Sequence, residues 1–179
     1  MENNNIFLTG NIKSGKTTLI IKMIKELQLD PAGFMVARKG EIYNWQLFYL
    51  LSAQEFCDGQ YVDVKNDRVF ATKLADGNWK IDQEIFNKYG VNFLDNHQNK
   101  DIFVMDELGT FESKAFKFQK KVLKIIKSNV PVIGVIKNQN STFLDRVRDI
   151  LDRSPLVVTE HNREYIYAEM KTTFKKYRR

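Results

Sequence analysis

A short apolar segment runs directly into a glycine-bounded loop in the stretch IFLTGNIKSGKTT, residues 6–18. Residues 10–17 match the pattern G-x-x-x-x-G-K-[ST], in which a loop between a strand and a helix surrounds a phosphate chain with backbone N–H groups. The apolar residues after the loop share one face at helical spacing and are Leu19, Ile20, Met23, Ile24 and Leu27. The stretch therefore predicts a strand, a phosphate-binding loop and an amphipathic helix in succession.

The residue types in the loop suit a nucleoside triphosphate. Gly10 and Gly15 leave the backbone open to the phosphates, and Lys16 can span the β- and γ-phosphates. Thr17 offers a hydroxyl group to Mg²⁺. The candidate nucleotide-binding residues of this segment are Gly10, Asn11, Ile12, Lys13, Ser14, Gly15, Lys16, Thr17 and Thr18. The alternatives are a glycine-rich helix start with an ordinary exposed lysine and, for Thr18, a place in the first helical turn without a phosphate contact.

Two acids end a second apolar segment, residues 102–105. A carboxylate at the end of a strand beside a phosphate loop anchors Mg²⁺ in many nucleotide-binding proteins, so we assign this role to Asp106. Glu107 is the candidate general base that orients or deprotonates the attacking water, and the alternative is a solvated acid at a strand end. Because hydrolysis needs water activation and phosphoryl transfer to a second substrate does not, the pair favours a hydrolase.

Apolar strands and helices alternate along most of the chain. This order predicts an α/β fold, with a mostly parallel sheet covered by helices on both faces. Residues 38–80 differ, because aromatic patches there are separated by the turn dipeptides Asp58-Gly59 and Asp76-Gly77, and we expect a small antiparallel hairpin region. No linker composition divides the chain, so residues 1–179 are expected to form one domain.

Composition excludes several classes of protein. The chain has 179 residues, 43% of them apolar, with mixed charge, which is typical of a folded globular domain. Of the net charge of +6, the tail KTTFKKYRR (residues 171–179) carries five basic residues and leaves +1 for the rest. We interpret the tail as a solvated helix end, with a nucleic-acid contact as the alternative. The single Cys57 is interpreted as a semi-buried small hydrophobe rather than a nucleophile. One cysteine, together with the lack of a leader or long apolar segment, predicts a cytoplasmic protein without membrane contact.

Several motifs together resemble one family, the small P-loop nucleoside-triphosphatases that include the cancer-related nucleoside-triphosphatase. The resemblance rests on residues 8–10 with 15–18, on Gly33-Phe34, and above all on VMDELGTFE, residues 104–112, which is similar to the family signature V-I-D-E-I-G-x-M-E. Residues 159–163, TEHNR, resemble its element T-x-x-N-R. The similarity runs over most of the chain.

The resemblance implies a RecA-like P-loop sandwich that hydrolyses nucleoside triphosphates to diphosphates and phosphate, with Mg²⁺ and modest base selectivity. By position, the family's phosphate-loop lysine, metal-binding aspartate and adjacent glutamate fall on Lys16, Asp106 and Glu107. Its terminal arginine falls on Arg163, which the resemblance places near the nucleotide. The chain departs from the family in residues 35–41, where the family usually has a charged hairpin with Arg and Gly, and in the unusually aromatic residues 43–49 that follow. It also departs at position 111, where Phe stands for the usual Met.

Further candidates have two interpretations each. Lys137 follows a buried strand, where a cation could reach a γ-phosphate, and a solvated strand end is the alternative. Arg146 belongs with Arg148 and Arg153 to a segment that could form the cationic lid of a kinase, although neighbouring aspartates favour a solvated basic helix face. The aromatic residues that could stack on a nucleobase, but that we expect in the core, are Tyr43, Trp45, Phe48 and Tyr49.

The residues favour hydrolysis of nucleoside triphosphates and leave two other functions open. One is a nucleoside or nucleotide kinase. The other is a nucleotide-dependent binding module, in which slow hydrolysis times an interaction with nucleic acid or a protein. The sequence does not determine the physiological nucleotide, an activating partner, the pathway or the oligomeric state.

Overall fold

The fold comes from a computed structural model, which describes residues 5–42, 45–59 and 66–177. The strands are β1 (Ile6–Thr9), β2 (Pro31–Ile42), β3 (Trp45–Ser52), β4 (Val69–Lys73), β5 (Trp79–Ile81), β6 (Ile102–Leu108), β7 (Val132–Ile136) and β8 (Leu156–Val157). The α-helices are α1 (Lys16–Leu27), α2 (Ala53–Cys57), α3 (Val91–Asp95), α4 (Phe116–Ile126), α5 (Thr142–Asp149) and α6 (Arg163–Phe174). A π-helical turn, Phe86–Gly90, leads into α3, and short 3₁₀ turns span Asn66–Arg68 and Lys175–Tyr177.

The strands form one sheet in the order β5-β4-β3-β2-β6-β7-β1-β8. Strands β2, β6, β7, β1 and β8 are parallel to one another, whereas β3, β4 and β5 continue the sheet from β2 in antiparallel pairs. The predicted fold class is confirmed in both parts, the parallel sheet and the antiparallel hairpin region. Strand β7 separates β1 from β6, so the ends of the three strands lie side by side at one edge of the sheet.

Helices cover both faces of the sheet. Apolar residues of α1, α2 and α6 pack on one face in a core that includes Ile20, Met23 and Met170. Apolar residues of α3, α4 and α5 pack on the other face in a core that includes Phe118 and Leu144. The two layers bury the centre of the parallel sheet, since every residue of β7 is buried.

The antiparallel region is longer and less uniform than its sequence indicates. The apolar run 33–36 predicts only a short strand, yet β2 extends to Ile42 because β3 pairs with it from Phe34 to Ile42. Asp76-Gly77 makes the predicted tight turn between β4 and β5, with Gly77 N–H donating to Leu74 O at 3.0 Å. Asp58-Gly59 instead ends α2, a helix that begins at a capping box formed by Ser52 and Glu55.

Gly33 has a structural reason for its place in the family pattern. It adopts φ +94°, and a Cβ atom there would lie 2.1 Å from the carbonyl oxygen of Val104 in the neighbouring strand β6. Only glycine lets β2 approach β6 at this position, so the contact fixes the strand that carries the two acids. Within the described residues, none of the helices is long and apolar enough to cross a membrane.

Candidate functional site

The glycine-bounded loop lies between β1 and α1, where its pattern predicts it. Gly10 has φ +127°, and a Cβ atom there would lie 2.5 Å from the carbonyl oxygen of Val158. Gly15 has φ +98°, and its Cβ would lie 3.0 Å from Nε of Arg163. Both glycines therefore let the loop pack against the segment after β8, a constraint additional to the open approach that the sequence pattern indicates.

The side chain of Lys16 crosses the loop. Its ammonium group donates to Asn11 O at 2.7 Å, to Gly10 O at 3.0 Å and to Ser14 Oγ at 3.2 Å. Burial lowers the pKa of Lys16, while the nearby carboxylates of Glu107 and Asp106 act in the opposite direction. The loop thus carries a cation at the position where a polyphosphate would lie.

Thr17 and Asp106 meet across the gap between α1 and β6. The hydroxyl group of Thr17 donates to Oδ2 of Asp106 at 2.6 Å, and Asp106 is buried with 5% of its surface exposed. Burial raises the pKa of Asp106 to about 6, although the hydrogen bond from Thr17 favours the ionised form. A hydroxyl and a carboxylate oxygen in direct contact beside the loop are hard oxygen donors of the kind that bind Mg²⁺, so these residues fit the metal.

Glu107 stands beside two cations. Its Oε1 atom lies 2.7 Å from Nζ of Lys137 and 3.6 Å from Nη2 of Arg38. Lys137 directly follows β7 and its N–H donates to Leu108 O at 2.9 Å, whereas Arg38 belongs to β2. The two strands that flank β6 therefore place one cation on each side of the carboxylate.

These groups line one cavity of about 930 Å³. It is lined by Thr9, Gly10, Asn11, Ile12, Lys13, Gly15, Lys16, Thr17, Thr18, Val36, Arg38, Asp106, Glu107, Val135, Ile136, Lys137, Asn138, Gln139 and Val157. The volume falls within the range of small-molecule sites, and the cavity lies at the ends of parallel strands, where α/β folds bind ligands. The structure thus brings most of the predicted site residues together.

Comparison with known proteins assigns the family. The sequence profile of a family described as NTPase matches residues 5–171. The chain belongs to the NTPase family. Its members hydrolyse nucleoside triphosphates, in agreement with the phosphate loop and the two acids at one cavity.

Two curated relatives of this NTPase cover nearly the whole chain. Nucleoside-triphosphatase THEP1 from Thermotoga maritima is 28% identical over 173 residues, which is 95% of this chain and 95% of that protein. Nucleoside-triphosphatase THEP1 from Methanosarcina barkeri is 27% identical and covers 97% of this chain and 98% of its own. The crystal structure of THEP1 from the hyperthermophile Aquifex aeolicus has the same fold, with a TM-score of 0.71, 20% identity, and coverage of 95% of this chain and 98% of that one.

Arg163 contacts the phosphate loop of this NTPase and does not belong to the cavity lining. Its Nε atom donates to Ser14 O at 2.7 Å, and Ser14 itself is buried. The arginine therefore holds the loop backbone next to Gly15, which does line the cavity.

Arg146 is exposed on α5 and does not belong to the cavity lining. The neighbouring Arg148 donates to Lys137 O at 2.9 Å, to Gln139 O at 2.8 Å and to Asp145 Oδ1 at 2.8 Å. These contacts support the helix-face interpretation of Arg148 and fix the backbone of Lys137.

Arg38 and Glu112 have places at the site that the sequence did not indicate. Glu112 is buried, and its Oε1 accepts a hydrogen bond of 2.6 Å from Gly109 N–H. Burial raises the pKa of Glu112 to about 7. The glutamate closes the turn that follows β6, and the sequence signal for it is its position at the end of the stretch 104–112, where the family signature also has Glu. Arg38 carries no local signal, because a strand pairing brings it to Glu107.

The expected core positions of the aromatic residues and of the cysteine are confirmed where they are described. Phe48 and Tyr49 are each 4% exposed, and Phe48 packs against Phe70 and Trp79. Tyr43 and the side chain of Trp45 lie outside the described residues. Cys57 is buried, and burial raises the pKa of its thiol to about 11, which suits a core residue.

Proposed function

We propose that the chain hydrolyses nucleoside triphosphates in a Mg²⁺-dependent reaction at this cavity. The observation that carries the proposal is the contact between Thr17 and Asp106, 2.6 Å long, in the same cavity as Lys16 and Glu107. Four groups from two separate segments, residues 16–17 and 106–107, converge there, and their combination matches the parts that phosphoryl hydrolysis needs.

The phosphate loop binds and orients the substrate. Backbone N–H groups of residues 10–18 and the start of α1 face the phosphates, and Lys16 neutralises charge on the β- and γ-phosphates. When the substrate binds, the Lys16 ammonium exchanges its hydrogen bonds with loop carbonyls for hydrogen bonds with phosphate oxygens, which are stronger acceptors. Thr17 and Asp106 would hold Mg²⁺, which neutralises charge on the phosphate oxygens when bound.

Glu107 acts on the attacking water. The carboxylate accepts a proton from water while the water oxygen forms a bond to the γ-phosphorus. The bond from the γ-phosphorus to the bridging oxygen breaks, which releases the diphosphate and inorganic phosphate. Most of the rate enhancement comes from positioning and from charge stabilisation by the loop and its lysine.

Arg163 supports the phosphate loop in this proposal, since its guanidinium donates to Ser14 O. We propose that residues 1–179 form one domain, and the continuous sheet of the described residues supports this. Lys137 contacts Glu107 and faces the γ-phosphate position, and Arg146 has no part in the chemistry.

The test measures phosphate release from ATP, GTP, CTP and UTP with and without Mg²⁺. We expect release from the wild type, dependence on Mg²⁺, and a loss of about 10²- to 10⁴-fold in kcat for Glu107→Gln, with binding of ATP retained. The exposed Glu160→Gln is the matched control and should behave like the wild type.

Unchanged hydrolysis in Glu107→Gln would remove this residue as the base. A wild type that binds ATP but releases phosphate only after an acceptor nucleoside or nucleotide is added would show phosphoryl transfer instead. Release that depends on added polynucleotide, and that falls steeply with salt, would show a nucleic-acid-dependent switch.

A further inference from the structure

Arg38 and Lys137 form a cation pair that holds Glu107 on both sides. The Lys137 ammonium lies 2.7 Å from Oε1 of Glu107, and the Arg38 guanidinium lies 3.6 Å from the same atom. Both contacts fall on one oxygen. The lysine occupies an acceptor site of that oxygen and fixes the orientation of the carboxylate.

Aromatic rings fix the positions of both cations. The Arg38 guanidinium lies over the ring of Phe48, 4.9 Å from its centroid, and Nζ of Lys137 lies 5.2 Å from the centroid of Phe111. The backbone of Lys137 is also held, through its N–H on Leu108 O and through Arg148 on its carbonyl. The pair is therefore an ordered part of the site.

The same pair faces the place where a γ-phosphate would lie. Arg38, Lys137, Lys16 and Glu107 line one cavity, and Lys16 marks the β- and γ-phosphate positions. Among the lining residues, the cations Lys13, Lys16, Arg38 and Lys137 outnumber the two carboxylates. A γ-phosphate brings several charged oxygens to this place, and guanidinium and ammonium groups bind such oxygens in short charge-assisted hydrogen bonds. A diphosphate ends one phosphate short of it.

We infer that Arg38 and Lys137 are a latch that responds to the γ-phosphate. In the closed state they fix the orientation of the Glu107 carboxylate, and in the triphosphate complex they move to the γ-phosphate and leave the carboxylate free to turn towards the attacking water. The latch rests on the proposed hydrolysis at this site. It makes base activation depend on a filled γ-phosphate position, and it gives the chain a means of distinguishing triphosphates from diphosphates.

A double-mutant cycle on nucleotide affinity tests the latch. The variants are Lys137→Met, Glu107→Gln and the double mutant, and the ligands are the non-hydrolysable ATP analogue AMP-PNP and ADP, each with Mg²⁺. If the Lys137–Glu107 pair breaks when the triphosphate binds, the two substitutions are coupled in their effects on AMP-PNP affinity, by about fivefold, because the pair exists only in the free state. For ADP the pair persists, and the coupling factor stays near one.

Each single substitution has an expected direction of change in nucleotide affinity. Lys137→Met is expected to weaken AMP-PNP binding, Glu107→Gln to strengthen it, and Lys137→Arg to restore both affinity and coupling. The control Lys120→Met removes an exposed lysine of α4 outside the cavity and should leave both affinities unchanged. Thermal unfolding shows whether each variant is folded. If Lys137→Met does not fold, the double-mutant cycle is repeated with Arg38→Met in its place.

Absence of coupling for AMP-PNP, or equal coupling for both nucleotides, would overturn the latch, because the pair would then persist or break regardless of the γ-phosphate. The measurement does not need turnover. A chain that shows the coupling but releases no phosphate would contradict the proposed hydrolysis alone, and one that hydrolyses without coupling would contradict the latch alone.

Discussion

The two halves of the sheet differ in what lies at their edges. In the parallel half, the ends of β1, β2, β6, β7 and β8 and the loops after them surround the cavity with charged side chains and backbone amides. In the antiparallel half, none of the described residues of β3, β4 and β5 lines that cavity. These strands instead supply Phe48, Phe70 and Trp79 to a cluster of aromatic rings. The difference follows from topology, because parallel strands bring all their carboxyl ends to one edge whereas antiparallel strands alternate.

The halves meet at the two cations of the latch. Arg38 lies over Phe48 of β3, and Lys137 lies beside Phe111, whose ring packs against Phe48, Phe70 and Trp79 at centroid distances of 5.2–5.7 Å. The antiparallel half therefore contributes to the site only indirectly, through the surface on which the cations rest. The comparison predicts that damage there changes stability more than nucleotide binding.

The largest effect is expected from a truncation in the antiparallel half. Phe70 is 1% exposed and packs against Phe86 at 4.7 Å, so Phe70→Ala should lower the free energy of unfolding by about 3–5 kcal/mol. Chemical denaturation measures this, and AMP-PNP titration below the unfolding transition should give an affinity within about threefold of the wild type. The control Phe116→Ala removes a ring that is 71% exposed and should change stability by less than about 0.5 kcal/mol. A parallel loss of affinity in Phe70→Ala would break the distinction between the halves.

A smaller effect concerns the turn that follows β6 in the parallel half. Burial raises the pKa of Glu112 to about 7 from an ordinary value of 4.5, so the folded chain binds a proton that the unfolded chain has lost between these pH values. The stabilisation is present below about pH 4.5 and is lost as the pH rises towards 7. Glu112→Gln keeps an acceptor for Gly109 N–H and carries no charge. We expect the difference in free energy of unfolding between Glu112→Gln and the wild type to grow in favour of the variant by about 2 kcal/mol from pH 5 to pH 8.

Thermal or denaturant unfolding at pH 5, 6, 7 and 8 measures this difference, with Glu160→Gln as the exposed control. A constant difference between Glu112→Gln and the wild type across that range would show that Glu112 stays ionised in the folded chain, held by Gly109 and Lys137.

What the sequence predicted follows the same division. The phosphate loop and the Asp106-Glu107 pair are contiguous sequence patterns that are typical of nucleotide-binding sites. Their place in the fold could therefore be predicted from local sequence. The parallel sheet followed from the alternation of elements. Arg38 could not be found in this way, because β2 extends that far only through its pairing with β3. The position of Glu112 also depends on tertiary packing, since burial of its carboxylate is compensated by one backbone amide that the chain brings to it.

The same limit applies to the arginines. The family pattern places Arg163 near the nucleotide, and the structure shows its Nε donating to Ser14 O of the phosphate loop. Arg146 lies on a helix whose basic residues are typical of a lid, yet the neighbouring Arg148 donates to two backbone carbonyls and an aspartate. The sequence pattern does not show which backbone carbonyls a long side chain reaches in the fold.

The smallest expected effect tests the link between the halves. Phe111 stands where the family pattern has Met, and Phe111→Met keeps much of the packing volume while it removes the aromatic face near Lys137. A double-mutant cycle with Lys137→Met should give a coupling of about 0.5–1 kcal/mol in the free energy of unfolding, the value of a partly exposed cation–π contact. The cycle with Lys120→Met, outside the cavity, should give none. Equal coupling in the two cycles would mean that the ring and the lysine are mere neighbours. Coupling confined to the Lys137 cycle would show that the aromatic cluster holds the Lys137 ammonium in place. The antiparallel half would then orient a cation of the site, although none of the described residues of β3, β4 and β5 lines the cavity.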